Sequence, residues 1–121
     1  MTQEQNRKNR QNGRYGEYRL AKKVNGVVVG RSKAVVLPSG KAIQVDCQRP
    51  PDVVTDNFAY ESKYFKVAPA CIKKVMTQAV RNCPEGLTPV GAIADREERC
   101  TYVIMMLDDW IAWHVGDKKD D

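Results

Sequence analysis

Asp52, Glu61 and Lys63 are the residues of this 121-residue chain whose types and spacing could do chemistry. Asp56 and Asn57 read as a two-residue hairpin turn between strands over 52–55 and 58–66. Such a turn pairs Thr55 with Phe58, Val54 with Ala59, Val53 with Tyr60 and Asp52 with Glu61. Directly opposed residues point to one face with Cβ atoms about 5 Å apart. Lys63, two residues past Glu61, falls on that face, roughly 7 Å further along. Val54, Ala59 and Phe65 share it and are core-type residues. Two carboxylates in such a setting repel each other and are costly to desolvate. A divalent cation removes the repulsion, and magnesium is the one expected. It prefers oxygen ligands, keeps several waters and is commonly held by one or two carboxylates plus substrate phosphate. It can lower the pKa of a bound water and polarise a phosphodiester. Lys63 would orient the attacking water or stabilise charge on the phosphorane.

The elements around this hairpin follow from periodicity and turn residues. A helix is expected over 14–24, with Leu20, Ala21 and Val24 on one face and Asn25-Gly26 as its stop. Glu17 lies three, four and seven residues before those positions, so it brings a carboxylate to the core-facing stripe. From there it could reach the hairpin. The alternative is a Glu at the edge of the stripe with its head in water. Short strands are expected over 27–29, 34–37 and 42–47, the last two joined by a turn at 38–41. Asp46 on the third could compete as a ligand, or be a surface residue. After Pro69, residues Ile72, Val75, Met76, Ala79 and Val80 repeat at helical spacing up to Asn82. Two more strands, 89–94 and 100–107, flank a charged turn. Asp108-Asp109 could cap a short final helix carrying Trp110, Ile111 and Trp113. The order is that of a mixed α/β domain with one central sheet over 14–115. Residues 116–121 read as a disordered tail.

Charge is unevenly placed. Residues 1–33 hold nine basic residues and two acids, so that segment is +7 in a chain of net +5, leaving −2 for the rest. Residues 1–13, polar and rich in Asn and Gln, read as a flexible basic arm. Arg7, Lys8 and Arg10 there, with Arg14 just after it, would bind phosphates and supply salt-sensitive, sequence-independent affinity. The four cysteines, at 47, 71, 83 and 100, have no C-x-x-C spacing, which argues against a zinc knuckle or a redox motif. With no signal peptide or apolar stretch long enough to span a membrane, the expectation is reduced thiols and a cytoplasmic location, the host cytoplasm if the source is viral. His114, the one histidine, lacks the partners of a nucleophile or zinc site and reads as structural. Trp110, Trp113 and the 102–107 strand could complete the core or form a subunit interface.

Pro51-Asp52 followed by Glu61-Ser62-Lys63, with Glu17 on a preceding helix, resembles the PD-(D/E)xK nuclease superfamily. The size, basic arm and spacing are similar to those of archaeal and phage Holliday junction resolvases. That resemblance implies a restriction-endonuclease-like fold, a central mixed sheet flanked by helices. It implies Asp52 and Glu61 as metal ligands, helped by the Ser62 backbone carbonyl, with Lys63 as the catalytic lysine. Glu17 would be an accessory ligand, direct or through water, and would belong with Asp52, Glu61 and Lys63 to the catalytic set. Gln78 would be a polar residue near the site, and Arg31-Ser32-Lys33 a mobile loop on DNA. The implied activity is a Mg2+-dependent endonuclease, with Mn2+ able to substitute. It would act as a homodimer on branched double-stranded DNA, making paired nicks in four-way junctions. The rivals are another nuclease of the superfamily (repair, restriction or end-processing) and a DNA-binding protein of the same fold without catalysis.

Overall fold

Thr2 opens the first helix. Its side-chain oxygen accepts the Gln5 N–H at 3.1 Å, and α1 runs Gln3–Val24 in the computed structural model, which describes residues 2–45 and 50–115. The Glu, Gln, Lys and Arg that dominate its first half are good helix formers, and Glu4 in the first turn suits the helix dipole. Residues 3–13, expected as a flexible arm, are therefore the N-terminal half of this helix. Its stop is the expected one. Asn25 takes the left-handed conformation (φ 58°) and its N–H bonds the Ala21 carbonyl. Gly26 follows because the chain must pass close to a strand: a Cβ there would stand 2.8 Å from the Val54 carbonyl oxygen.

The chain packs as two compact units, Met1–Phe65 and Lys66–Asp121. In the first, β1 (Val27–Val28), β4 (Val53–Val54) and β5 (Ala59–Tyr60) form an antiparallel sheet with β4 in the centre. β2 (Ala34–Val36) and β3 (Ala42–Gln44) form a separate hairpin. Its turn is closed by Gly40 N–H on the Leu37 carbonyl at 2.8 Å. Ser39 Oγ donates to Asp56 Oδ1 at 2.7 Å and Lys41 Nζ to the Asp56 carbonyl at 3.3 Å, so the tip of this hairpin is tied to the β4–β5 turn.

Alternation along the strands explains the layering. Val29 and Val54 share one face and cluster with Val35, Leu37 and Val45 of the β2–β3 hairpin. Val53 points to the opposite face and is fully buried, as Ala21 and Val24 of α1 are buried, and α1 packs along β1 and β4. Both faces of β4 are thus covered, and burying a valine of this kind contributes about 1.5–3 kcal/mol.

In the second unit α2 (Ala70–Arg81) packs against β6 (Val90–Asp95), which pairs antiparallel with β7 (Cys100–Met105). Pro69 holds the N-cap position and Asn82 the C-cap. Helix and strand approach closely at Gly91, where a Cβ would lie 2.6 Å from Val75 Cγ1. The Glu98 N–H bonds Asp95 Oδ1 at 3.0 Å in the turn. In α3 (Leu107–His114) the N-cap is Met106, without a side-chain bond, and Asp108 and Asp109 occupy the first turn instead of capping it.

The architecture is mixed α/β, with three helices and small antiparallel sheets among the described residues. The expected single central sheet is divided in three. The reason in the first unit is that β1 and β4 are apolar on both faces, so β2–β3 covers one face rather than extending the edge. No described helix is long and apolar enough to cross a membrane. Asp46, Cys47 and the tail over 116–121 lie outside the described residues.

Candidate active site

The β4–β5 hairpin forms in the expected register, with Val54 opposite Ala59 and Val53 opposite Tyr60. Thr55 N–H bonds the Phe58 carbonyl at 2.9 Å around the Asp56-Asn57 turn. The ladder then departs from the simple extrapolation. Asp52 was expected directly opposite Glu61. Instead its N–H bonds the Tyr60 carbonyl at 3.0 Å, one residue out of register, while its own carbonyl accepts from Val29 N–H at 3.0 Å. Asp52 and Val53 therefore both face Tyr60, which is a β-bulge. A bulge bends the strand and re-aims a side chain. Here it turns Asp52 away from the Val54 face and toward α1, where its carboxyl meets Glu17.

Asp52 is held at both ends. Its backbone is clamped between β1 and β5, and its Oδ2 accepts the Ser62 N–H at 2.8 Å. Ser62 thus enters the site through its amide. Strand β5 ends at Tyr60, not at residue 66, because the chain leaves the ladder to make this bond. Glu61 and Lys63 lie in the irregular stretch that follows and are exposed.

Glu17 is half-buried on α1. Burial raises its carboxyl above the ordinary value of 4.5. The negative charge of Asp52 and a hydrogen bond to the Asp52 carboxyl raise it further, and Glu61 adds to this, while Arg14 one turn earlier acts in the opposite sense. Three carboxylates drawn from a helix and a hairpin are thus electrostatic neighbours at the mutual cost of repulsion. Among the described residues no three His, Cys, Asp or Glu side chains are gathered closely enough to enclose a metal ion. The donor chemistry, all hard oxygen, fits a cation such as Mg2+ that takes one or two carboxylates and keeps its waters.

A clamp that the sequence pattern did not suggest holds the 61–65 stretch against α1. Gly16 is buried under Tyr64, so close that a Cβ would stand 2.6 Å from Tyr64 Cβ. The Tyr15 and Tyr64 rings lie 5.5 Å apart, and Arg19 Nη1 donates to Tyr64 Oη at 3.5 Å. Gly16 inside a helix and next to Glu17 was the available signal, since a mid-helix glycine costs about 1 kcal/mol unless something packs on it.

Arg7, Lys8, Arg10 and Arg14 are exposed on α1. Arg31, Ser32 and Lys33 form an exposed turn between β1 and β2, where Gly30 has φ 56° and Ser32 N–H bonds the Val29 carbonyl at 3.0 Å. Gln78 is exposed on α2 and belongs to the second unit. The His114 ring lies against that of Trp110, centres 4.1 Å apart and planes tilted by 43°. Compared with known proteins, the chain matches no family model, no curated protein and no solved structure.

Proposed function

We propose that this chain is a magnesium-dependent, structure-selective DNA endonuclease of the PD-(D/E)xK type, acting on four-way junctions. The observation that carries the reading is the hydrogen bond between the Glu17 and Asp52 carboxyls, within electrostatic reach of Glu61, with Asp52 fixed by the Ser62 amide on a bulged strand. Carboxylates kept together against their repulsion are what a cation site requires. Asp52 and Glu61 would hold Mg2+ (or Mn2+), with Glu17 as an accessory ligand and the Ser62 carbonyl as a further oxygen. The bound cation supplies Lewis-acid activation of water and phosphodiester. Asp52, immobile in the sheet, fixes one ligand direction. Lys63, exposed beside the anchored Ser62, is free to orient a water or to meet negative charge on the phosphate. Arg31, Ser32 and Lys33, with the arginines of α1, would bind backbone phosphates and carry no sequence information. A cytoplasmic location accords with this role.

A homodimer forms part of the proposal. Met76 is the one buried large apolar side chain among the described residues of the second unit, while Val90, Tyr102, Val103 and Trp113 are all exposed. An apolar hairpin left open to this degree suits an interface.

The test is cleavage of a labelled four-way junction with Mg2+, comparing wild type with Asp52→Asn. Paired nicks by wild type alone support the proposal. Cutting of flaps or linear duplex but not of junctions would move the substrate to repair, restriction or end-processing. Binding without any cutting, by either protein, would leave a non-catalytic DNA-binding protein.

A further inference from the structure

We infer that Arg7, Arg10 and Arg14 form a guanidinium edge on α1 that grips DNA on one defined side of the cleaved bond. The inference rests on the nuclease reading above and adds to it a polarity of substrate contact.

At 3.6 residues per turn, Arg7, Arg10 and Arg14 fall within about 60° of arc, and the same face continues into Glu17, Ala21 and Val24. Ala21 and Val24 are buried and Glu17 half-buried, so the rotational position of the arginines is set by the packing of the same helix. Arg14 stands within electrostatic reach of Glu17. The edge therefore begins at the candidate site and runs away from it in one direction only. Arg7 to Arg14 covers about 10.5 Å of helix axis at 1.5 Å per residue. That equals the rise of about three nucleotides along the duplex axis, at ~3.4 Å each.

What the helix would bind follows from its composition. Residues 2–13 contain no apolar side chain and all are exposed. A helix polar all round offers nothing to an apolar groove, and a few turns of it are marginal alone. Its excess is cationic: Arg7, Lys8 and Arg10 against Glu4. A polyanion both neutralises that repulsion and matches the spacing. Lys22 supplies an internal control: it is an exposed lysine of the same helix but lies beyond Glu17, on the other side of the candidate site, and off the edge, about 60° round the helix from Arg7 and about 120° from Arg10.

The test compares the full-length chain with its Arg10→Ala and Lys22→Ala variants. Junction binding is measured against salt in EDTA, where cleavage is silent. Arg10→Ala should flatten the slope of log K on log[salt] by ~0.9, one phosphate contact, and Lys22→Ala should leave it unchanged. Cleavage is then mapped with Mg2+ on substrates carrying single neutral methylphosphonates on either side of the cut. Wild type should lose rate only for replacements on one side, within about three steps, and Arg10→Ala should lose that asymmetry. Equal slopes for the two variants, or equal losses on both sides of the cut, would overturn the inference. If no DNA is cut at all, the nuclease reading fails separately, and the slope comparison still decides the edge.

Discussion

Gly16→Ala, set beside Gly13→Ala, tests how the candidate site is held together. Both glycines lie in α1, where alanine is favoured over glycine by about 1 kcal/mol. At Gly13 no atom lies within 4 Å of the added methyl, so the gain should be realised up to the limit set by fraying. At Gly16 the methyl would stand 2.6 Å from Tyr64 Cβ, 3.0 Å from Cγ and 3.2 Å from Cδ1. The nearest of these is the root of the side chain, so no change of rotamer clears it. Either the helix or the 61–65 stretch must move, and overpacking of this kind costs about 1–3 kcal/mol. Gly16→Ala should then be destabilised by ~0–2 kcal/mol where Gly13→Ala is stabilised by up to ~1, a separation of about 1–3 kcal/mol. With a urea dependence of about 2 kcal/mol per molar, the two midpoints should differ by roughly 0.5–1.5 M. Junction cleavage should fall in Gly16→Ala and persist in Gly13→Ala, because Tyr64 anchors the stretch that carries Lys63 and the Ser62 amide. A Gly16→Ala protein as stable as Gly13→Ala and fully active would refute the clamp.

Two further substitutions address Asp52 and its neighbours. The folded chain holds the Glu17 proton more tightly than the unfolded chain does, so its contribution to stability is complete below the ordinary value of 4.5 and is lost as pH rises through the raised value. Metal-free wild type should therefore lose ground to Glu17→Gln as pH rises above 4.5, and Mg2+ should reverse the ranking; a difference in urea midpoint that is the same at pH 4 and pH 7 would count against the raised carboxyl. Ser62→Ala keeps the amide that bonds Asp52, so stability should stay within about 0.5 kcal/mol and cleavage should be retained. Loss of cleavage in that variant would mean that the hydroxyl does the work assigned here to the N–H.

Local rules carried most of what was legible in the sequence. The Asp56-Asn57 turn, the Val53–Tyr60 register, the Asn25-Gly26 stop, α2 after Pro69 and the β6–β7 pair all depend on neighbours a few residues away, and all form as expected. Of the candidate residues, Glu17 and Asp52 share a hydrogen bond and Glu61 acts on Glu17 only through its charge; among the described residues no three acids gather closely enough to enclose a metal ion. What was not legible depends on partners distant in the chain. The bulge at Asp52 engages two neighbouring strands, its N–H bonding β5 and its carbonyl accepting from Val29 after β1, and a hairpin template does not contain β1. The Tyr64 clamp joins residues 45 positions apart at Arg19–Tyr64. The division of the strands into three sheets follows from which apolar faces find each other. The extent of α1 was missed for a different reason. Its first half has no apolar periodicity to detect and is helical through propensity and the Thr2 cap.

The bulge also bears on how such a site can drift over generations. Asp52 reaches Glu17 because two residues of one strand stand against Tyr60, so the meeting of carboxylates is written in the count of backbone units as much as in their identity. Point substitutions can alter charge at a fixed address. Gain or loss of a single codon between Asp52 and Ser62 would move the address itself, returning the carboxylate to the valine face while leaving a hairpin that folds. In a lineage of such chains, this loop should tolerate changes of letter far more readily than changes of length.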